Sequence, residues 1–189
     1  MRNPWPRMPH PDVLGYGGRD YGNRVGLWRM FDVLDKHSVR CTVSLSMSVI
    51  EMYPEILEAM EARRWEYMSH GYFNTRYHWG YSEQEEREVI EHSKATHLRL
   101  TGRKLRGWFS PAISNTLVTP DLVKEAGLEY FCDFYHDDQP TPLATRHGPL
   151  IHVPYTMDLN DALIYRQPVE AEEFAQMIID YFDTVYREG

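Results

Sequence analysis

Residues 65–99, WEYMSHGYFNTRYHWGYSEQEEREVIEHSKATHLR, decide how this chain is read. The first six, 65–70, read as a short strand. A polar and aromatic stretch follows. From Ser82 the pattern changes again. Ser82 and Glu85 have the spacing of a capping box, acidic residues crowd the first turn, and the helical pattern runs to 99 with Gly102 near its end. Strand, polar stretch and capped helix make one βα unit.

Working outward, the same order repeats. Upstream, a helix is predicted over 24–37. Asn23 serves as its N-cap, and Val25, Trp28, Phe31, Val33 and Leu34 form an apolar stripe. A strand at 41–47 and a helix at 54–63, opened by Pro54, come next. Downstream, 107–111 is strand-like. Thr119-Pro120-Asp121 starts a helix that Gly127 stops. A strand covers 128–135. A loop covers 136–149, with Pro140, Pro142, Gly148 and Pro149. A strand covers 150–155, and a last helix covers 169–187. Residues 1–22, rich in Pro, Gly and Tyr, read as an irregular leader. Five strands alternating with helices predict an α/β fold of parallel βα units in a single domain over 1–189. A closed barrel of eight such units takes about 250 residues. No strand precedes the first helix and none follows the last. The pattern therefore gives a small open sheet or an incomplete barrel.

Composition narrows the function. The chain has 189 residues, of which 42% are hydrophobic and 25% charged, so it suits one globular domain. Twenty basic residues against twenty-eight acidic ones give a net charge of −8, with no long basic cluster, which argues against a nucleic-acid partner. No apolar run approaches the roughly 20 residues of a membrane span. The N-terminus lacks the apolar region of a signal peptide. The two cysteines, Cys41 and Cys132, make no disulfide framework, so a cytoplasmic setting is expected.

In parallel α/β folds ligands meet the C-terminal ends of the strands. Titratable and aromatic residues collect at those ends here. His70 suits metal binding or acid–base chemistry. Asp133, Asp137 and Asp138 suit a base, a histidine-orienting group or a metal ligand, against a solvated acidic loop for the last two. Asn160 and Asp161 suit a polar substrate, although their spacing favours an Asx turn or helix cap. Tyr72, Phe73, Tyr77, Trp79, Trp108 and Tyr135 suit planar or sugar ligands, although Trp108 in a strand also reads as core. His92 and His97 read as surface residues, and Glu83 to Glu86 as a solvated helix start. No nucleotide-binding glycine loop, P-loop, nucleophile elbow or paired-cysteine motif occurs.

These pieces in order give the sequence a resemblance. They are Ser69-His70-Gly71 with Asn74 and Arg76-Tyr77, Arg106-Gly107-Trp108, Thr119-Pro120-Asp121-Leu122, Asp133 through Asp137-Asp138-Gln139-Pro140, and Leu159-Asn160-Asp161. The chain resembles the polysaccharide deacetylase, or NodB-homology, superfamily, in the branch that includes cofactor-independent allantoinases. The resemblance implies a distorted (β/α) barrel and hydrolysis of non-peptide carbon–nitrogen bonds in a sugar or ureide amide. The family's metal-dependent members use an aspartate pair, an H-x-x-x-H motif and a final histidine. Here His70 matches the first motif histidine, but Asn74 stands at the second position, and asparagine is a poor transition-metal ligand. The expectation is therefore no cofactor, with zinc at His70 as the alternative. The strands carrying the aspartate pair and the last histidine would lie outside residues 1–189, so this stretch alone is expected to be weak or inactive. His70, Asp133, Asp137 and Asp138 are the expected catalytic residues. Tyr72, Asn74, Tyr77, Trp108, Asn160 and Asp161 are the expected substrate contacts. A non-catalytic sugar-binding module is the alternative function. Exposed sheet edges make a homo-oligomer an expected partner state.

Overall fold

A computed structural model describes residues 13–161 and 169–188. Six strands are formed: β1 (Thr42–Leu45), β2 (Glu66–Ser69), β3 (Gly107–Trp108), β4 (Tyr130–Phe131), β5 (Thr141–Leu143) and β6 (Leu150–His152). They form one sheet in the order β1-β2-β3-β4-β6-β5. Neighbours are parallel except β5, which runs antiparallel to β6. The sheet is open, with β1 and β5 at its edges.

Seven α-helices accompany it among the described residues: α1 (Val13–Tyr21), α2 (Leu27–Lys36), α3 (Met47–Met52), α4 (Pro54–Ala62), α5 (Glu83–Thr101), α6 (Thr119–Glu125) and α7 (Ala171–Glu188). The capping box on α5 is formed as the sequence predicts. Glu85 N–H donates to Ser82 Oγ, and Ser82 N–H donates to the Glu85 carboxylate at 2.7 Å. Gly102 ends α5 at φ 68°, a left-handed conformation that glycine adopts without a Cβ penalty. Pro54 occupies the first turn of α4.

Four expectations are corrected. Part of the supposed leader is helical, since α1 runs through a π-helical turn at Gly22–Gly26 into α2. Asn23 lies inside that turn instead of capping a helix. Tertiary bonds outweigh the poor helix propensity of the glycines. Tyr53 donates to Asp20 Oδ1 and Arg24 to Asp20 Oδ2, each at 2.5 Å. Residues 1–12 lie outside the described residues. The strand read at 41–47 stops at Leu45, because Met47 enters α3 to bury Met47, Ser48 and Ile50. The loop read at 136–149 contains β5. Its Pro142 cannot donate to a ladder and is tolerated on an edge strand. The strands after β2 are also shorter than their apolar runs.

One face of the sheet packs on the helices through Leu45, Tyr67, Trp108, Phe131 and Leu150. Phe31, Ile50, Ile56, Ile90 and Leu122 meet them from the helical side. Glu66, Met68, Tyr130 and Cys132 line a hollow of about 420 Å³ beside Val153 and Tyr155. Gly107 is required there, since a Cβ would stand 2.1 Å from the Tyr130 ring. Both cysteines are free thiols.

Candidate functional site

The site grows from the ends of three neighbouring strands, β2, β3 and β4. His70 follows the last residue of β2, and its N–H donates to Leu45 O at 2.8 Å. Gly71 then turns at φ +70°, where a Cβ would stand 2.8 Å from Pro111 Cγ. Only glycine lets the chain leave the strand so abruptly, and this fixes His70 at the strand end. Its Nδ1 lies 2.9 Å from Phe109 O. A carbonyl only accepts, so Nδ1 carries the proton and Nε2 keeps its lone pair. The Asn74 side chain lies beside the same imidazole. Burial pushes the His70 pKa down, and the Phe109 carbonyl and the Asn74 side chain only partly offset it. His70 is therefore neutral at pH 7.

The other end of the same peptide group is also held. Ser110 N–H donates to Asp133 Oδ1 at 2.7 Å. The Phe109 carbonyl and the Ser110 N–H thus place one peptide plane, just beyond β3, between an imidazole on the β2 side and a carboxylate on the β4 side. Polarising either end strengthens the bond at the other. Asp133 is 2% exposed, and its Oδ2 has no partner among the described residues. Burial pushes its pKa up to about 6, against the lowering effect of the Ser110 bonds. A buried carboxyl with one oxygen open and a pKa near neutrality is a recurrent feature of functional sites. Trp108 is fully buried beneath, with Nε1 donating to Ser110 Oγ at 3.0 Å. It supports the site from the core side.

Behind this lies a polar cluster that the sequence does not announce. His78 and Glu86 are both fully buried, with Nδ1 and Oε1 3.2 Å apart. Glu86 also accepts from Thr116 at 2.7 Å and from Thr119. Burial pushes the Glu86 carboxyl up, but hydrogen bonds from His78, Thr119 and Thr116 outweigh it and hold the pKa below the usual range. The solvated start expected for α5 is thus half wrong, because the helix turns Glu86 inward while Glu83 is half-buried and Glu85 stays exposed. His97 is likewise buried, with Nδ1 3.0 Å from Arg103 O. His152 is a further missed residue. It is buried, its Nε2 donates to Phe134 O at 3.0 Å, and its ring lies 4.3 Å from that of His136.

The remaining predicted residues lie around these strand ends. Asp137 Oδ1 accepts from Asp138 N–H at 2.9 Å and Gln139 N–H at 3.1 Å, an Asx turn. Asp137 and Asp138 line a second cleft of about 600 Å³ with His136, Tyr155, Asp158 and Tyr181. Asn160 donates to the Tyr155 hydroxyl, and Asp161 is exposed. Tyr72 donates to Glu51, and Tyr77 stacks edge-on with Trp79 at 5.6 Å. The structure places His70 and Asp133 on either side of one peptide, with Asn74 beside His70, and leaves Asp137 and Asp138 in a separate cleft.

Among the described residues, no three His, Cys, Asp or Glu side chains are placed to hold a metal ion. His70 offers one imidazole nitrogen, and its neighbour Asn74 offers an amide. That is not a transition-metal donor set.

Comparison with known proteins decides the family. Residues 19–131 match the profile described as polysaccharide deacetylase. The chain belongs to that family. A Schizosaccharomyces pombe protein carrying a polysaccharide deacetylase name is 28% identical over 203 residues, covering 98% of this chain and 63% of its own. The Puue allantoinase crystal structure superposes with a TM-score of 0.82 at 29% identity, covering 89% of this chain and 57% of that one. A structure from Pseudomonas aeruginosa PAO1, also named for polysaccharide deacetylase, gives a TM-score of 0.78 at 33% identity with the same coverage. This polysaccharide deacetylase family chain therefore spans less than two thirds of each relative's length. It shares their parallel (β/α)-barrel architecture, with the sheet open among its described residues. No helix among those residues is long and apolar enough to cross a membrane.

Proposed function

We propose that this chain carries the His70–Asp133 part of a hydrolase acting on a non-peptide amide of a carbohydrate. The observation that carries the reading is the Phe109–Ser110 peptide group held between His70 Nδ1–H and Asp133 Oδ1. That arrangement leaves His70 Nε2 as an acceptor beside the Asn74 amide. In the reaction a water oxygen bonds to the amide carbonyl carbon, the carbon–nitrogen bond breaks, and a proton passes to the leaving amine. Neutral His70 orients the water or the amide N–H through Nε2. The Asn74 amide supplies a hydrogen bond to charge developing on the carbonyl oxygen. Asp133, through its bond to Ser110 N–H, steadies the peptide that fixes the His70 tautomer. Tyr72 and Tyr77 bound the substrate near His70. Asp137, Asp138, Asn160 and Asp161 shape the opposite rim, and Trp108 supports the floor.

The relatives named for polysaccharide deacetylase favour a carbohydrate amide over a ureide ring. No step is routed through a metal, because the residues present do not form its donor set. A cytoplasmic setting and pairing of copies along the open β1 edge complete the proposal. The test is acetate release from an N-acetylated oligosaccharide, run beside ring opening of allantoin. Slow acetate release that falls at least tenfold in His70→Ala supports the reading. Ring opening without acetate release, or acetate release indifferent to His70→Ala, overturns it.

A further inference from the structure

Glu86 is fully buried in the first turn of α5, and although burial opposes its charge, the bonds it accepts hold it ionised. Burying a carboxylate is costly, and an apolar side chain of similar volume often packs as well. What the carboxylate gains is reach. Its side-chain partners come from two other segments and none from α5. His78, with Nδ1 3.2 Å from Oε1, lies on the segment that leaves β2 after His70. Thr116 and Thr119, which donate to Oε2 and Oε1, lie on the segment that leaves β3 after Ser110. The two segments also meet directly, since His78 N–H donates to Ser114 Oγ at 2.9 Å. One buried carboxylate therefore ties together the continuations of the strands that carry His70 and the Phe109–Ser110 peptide.

The stretch between Ser110 and Thr116 needs such a tie. Ala112 and Ile113 are consecutive residues at φ +52° and +56°. Neither is glycine, and Ile113 is β-branched, so both are strained there. Such a backbone persists only where its surroundings over-determine it. Within the turn, Ile113 N–H donates to Ser110 O at 2.8 Å and Ser114 N–H to Pro111 O at 3.1 Å. Beyond it, the chain is anchored by Ser114 on His78 and by Thr116 and Thr119 on Glu86. Without those anchors the turn can relax toward negative φ, and Ser110 and Pro111 move with it. Ser110 N–H is the group that meets Asp133 Oδ1, and Pro111 lies against Gly71, the residue after His70. The pair also acts through space. Charge on His78 favours ionised Asp133 and disfavours protonation of His70, while Glu86 works against ionised Asp133.

We infer that Glu86 and His78 are positioning residues for the reaction proposed above, fixing where the His70 imidazole and the Phe109–Ser110 peptide stand relative to each other. Both are fully buried and act through the two segments they join. The inference rests on the His70–Asp133 reading and deepens it. It adds a second layer of residues, carried by α5 and by the segment after His70, to the groups at the strand ends.

The experiment is NMR of the intact protein at pH 7, following the Ser110 amide proton and the His70 Nδ1 nitrogen, beside acetate release from an N-acetylated oligosaccharide. Thr116→Val and Thr119→Val each remove a hydroxyl bonded to Glu86, and Glu86→Gln exchanges the carboxylate for an amide. Thr101→Val is the control. It removes the bonds of the Thr101 hydroxyl to His97 O and Arg103 O, about 22 Å further along the axis of the same helix. Thermal melting ranks the variants by lost stability, and where Glu86→Gln fails to fold the two threonine variants carry the test. In those two variants both signals are expected to move at least threefold further than in Thr101→Val, and kcat for acetate release to fall at least threefold at unchanged KM. If the signals move no further than in Thr101→Val, or kcat does not fall, the cluster serves stability alone and the inference is overturned while the His70–Asp133 reading stands. If the wild-type protein releases no acetate, that reading falls and the positioning role falls with it, whatever the signals do.

Discussion

Replacing Asp133 by Asn should make the protein more stable at neutral pH. The ordinary value for this carboxyl is 3.8, and burial pushes it up to about 6. Between those values the folded state keeps a proton that the unfolded state has released. Folding therefore becomes less favourable as pH rises through that window, and the loss is complete above it. Two pH units correspond to about 3 kcal/mol. In Asp133→Asn the amide oxygen would still accept from Ser110 N–H. The new NH₂ would lie near the position of Oδ2, which has no partner among the described residues, and that costs about 1–2 kcal/mol. The net gain at pH 7.5 is then about 1–2 kcal/mol, with a net loss at pH 4. Urea unfolding of both proteins at pH 4 and pH 7.5 measures this, and the difference between them cancels every other titrating group. The reasoning fails if the difference does not change with pH, or if it moves against the variant as pH rises.

Three further outcomes follow from other parts of the structure. Glu86→Gln replaces the buried carboxylate that bonds His78, Thr116 and Thr119 by an amide with only one accepting oxygen, and should lower stability by about 1–3 kcal/mol in the same urea assay. A change under about 0.5 kcal/mol would mean that the buried hydrogen bonds to Glu86 do not support the fold. Gly71→Ala forces a Cβ to within 2.8 Å of Pro111 at a positive φ, and should cost about 1–3 kcal/mol and shift the His70 imidazole resonances. Unaltered resonances would show that the strand end does not depend on that turn. Asn74→His places a second imidazole beside His70 and should raise cobalt or zinc affinity at least tenfold by calorimetry. Equal affinity in the two proteins would show that the two positions do not converge on one metal.

The parts legible in the sequence were those governed by local chemistry. The α5 capping box, the Gly102 stop and the Pro54 start are short-range signals, and each is present. Apolar runs located five strands and the parallel order, because strands buried by helices must be apolar. They overstated strand length, since apolar residues continue past the last ladder bond into loops that are also buried. They missed β5, because edge strands tolerate proline and polar residues. They missed α1 and α3, which are held by tertiary contacts, α1 through the Tyr53–Asp20 bond and α3 by burying Met47, Ser48 and Ile50.

In the candidate site, the strand-end rule named His70 and Asp133, which the structure places on either side of one peptide. It could not find that one peptide joins them, because the joining atoms belong to the backbone of Phe109 and Ser110. His78 and Glu86 were invisible for another reason. They lie eight positions apart across a loop-to-helix boundary, where no helical or strand period relates them. A glutamate in an acidic first turn also gives no sign of which face it takes.

The arrangement around the Phe109–Ser110 peptide is tested most directly by nitrogen-15 NMR of the His70 imidazole in the intact protein. At pH 7 a neutral ring is expected, with its proton on Nδ1 and a bare Nε2, and Asp133→Asn should perturb the Nδ1 signal through the shared peptide group. A proton on Nε2, a charged imidazolium at pH 7, or an Nδ1 signal untouched by Asp133→Asn would contradict the account.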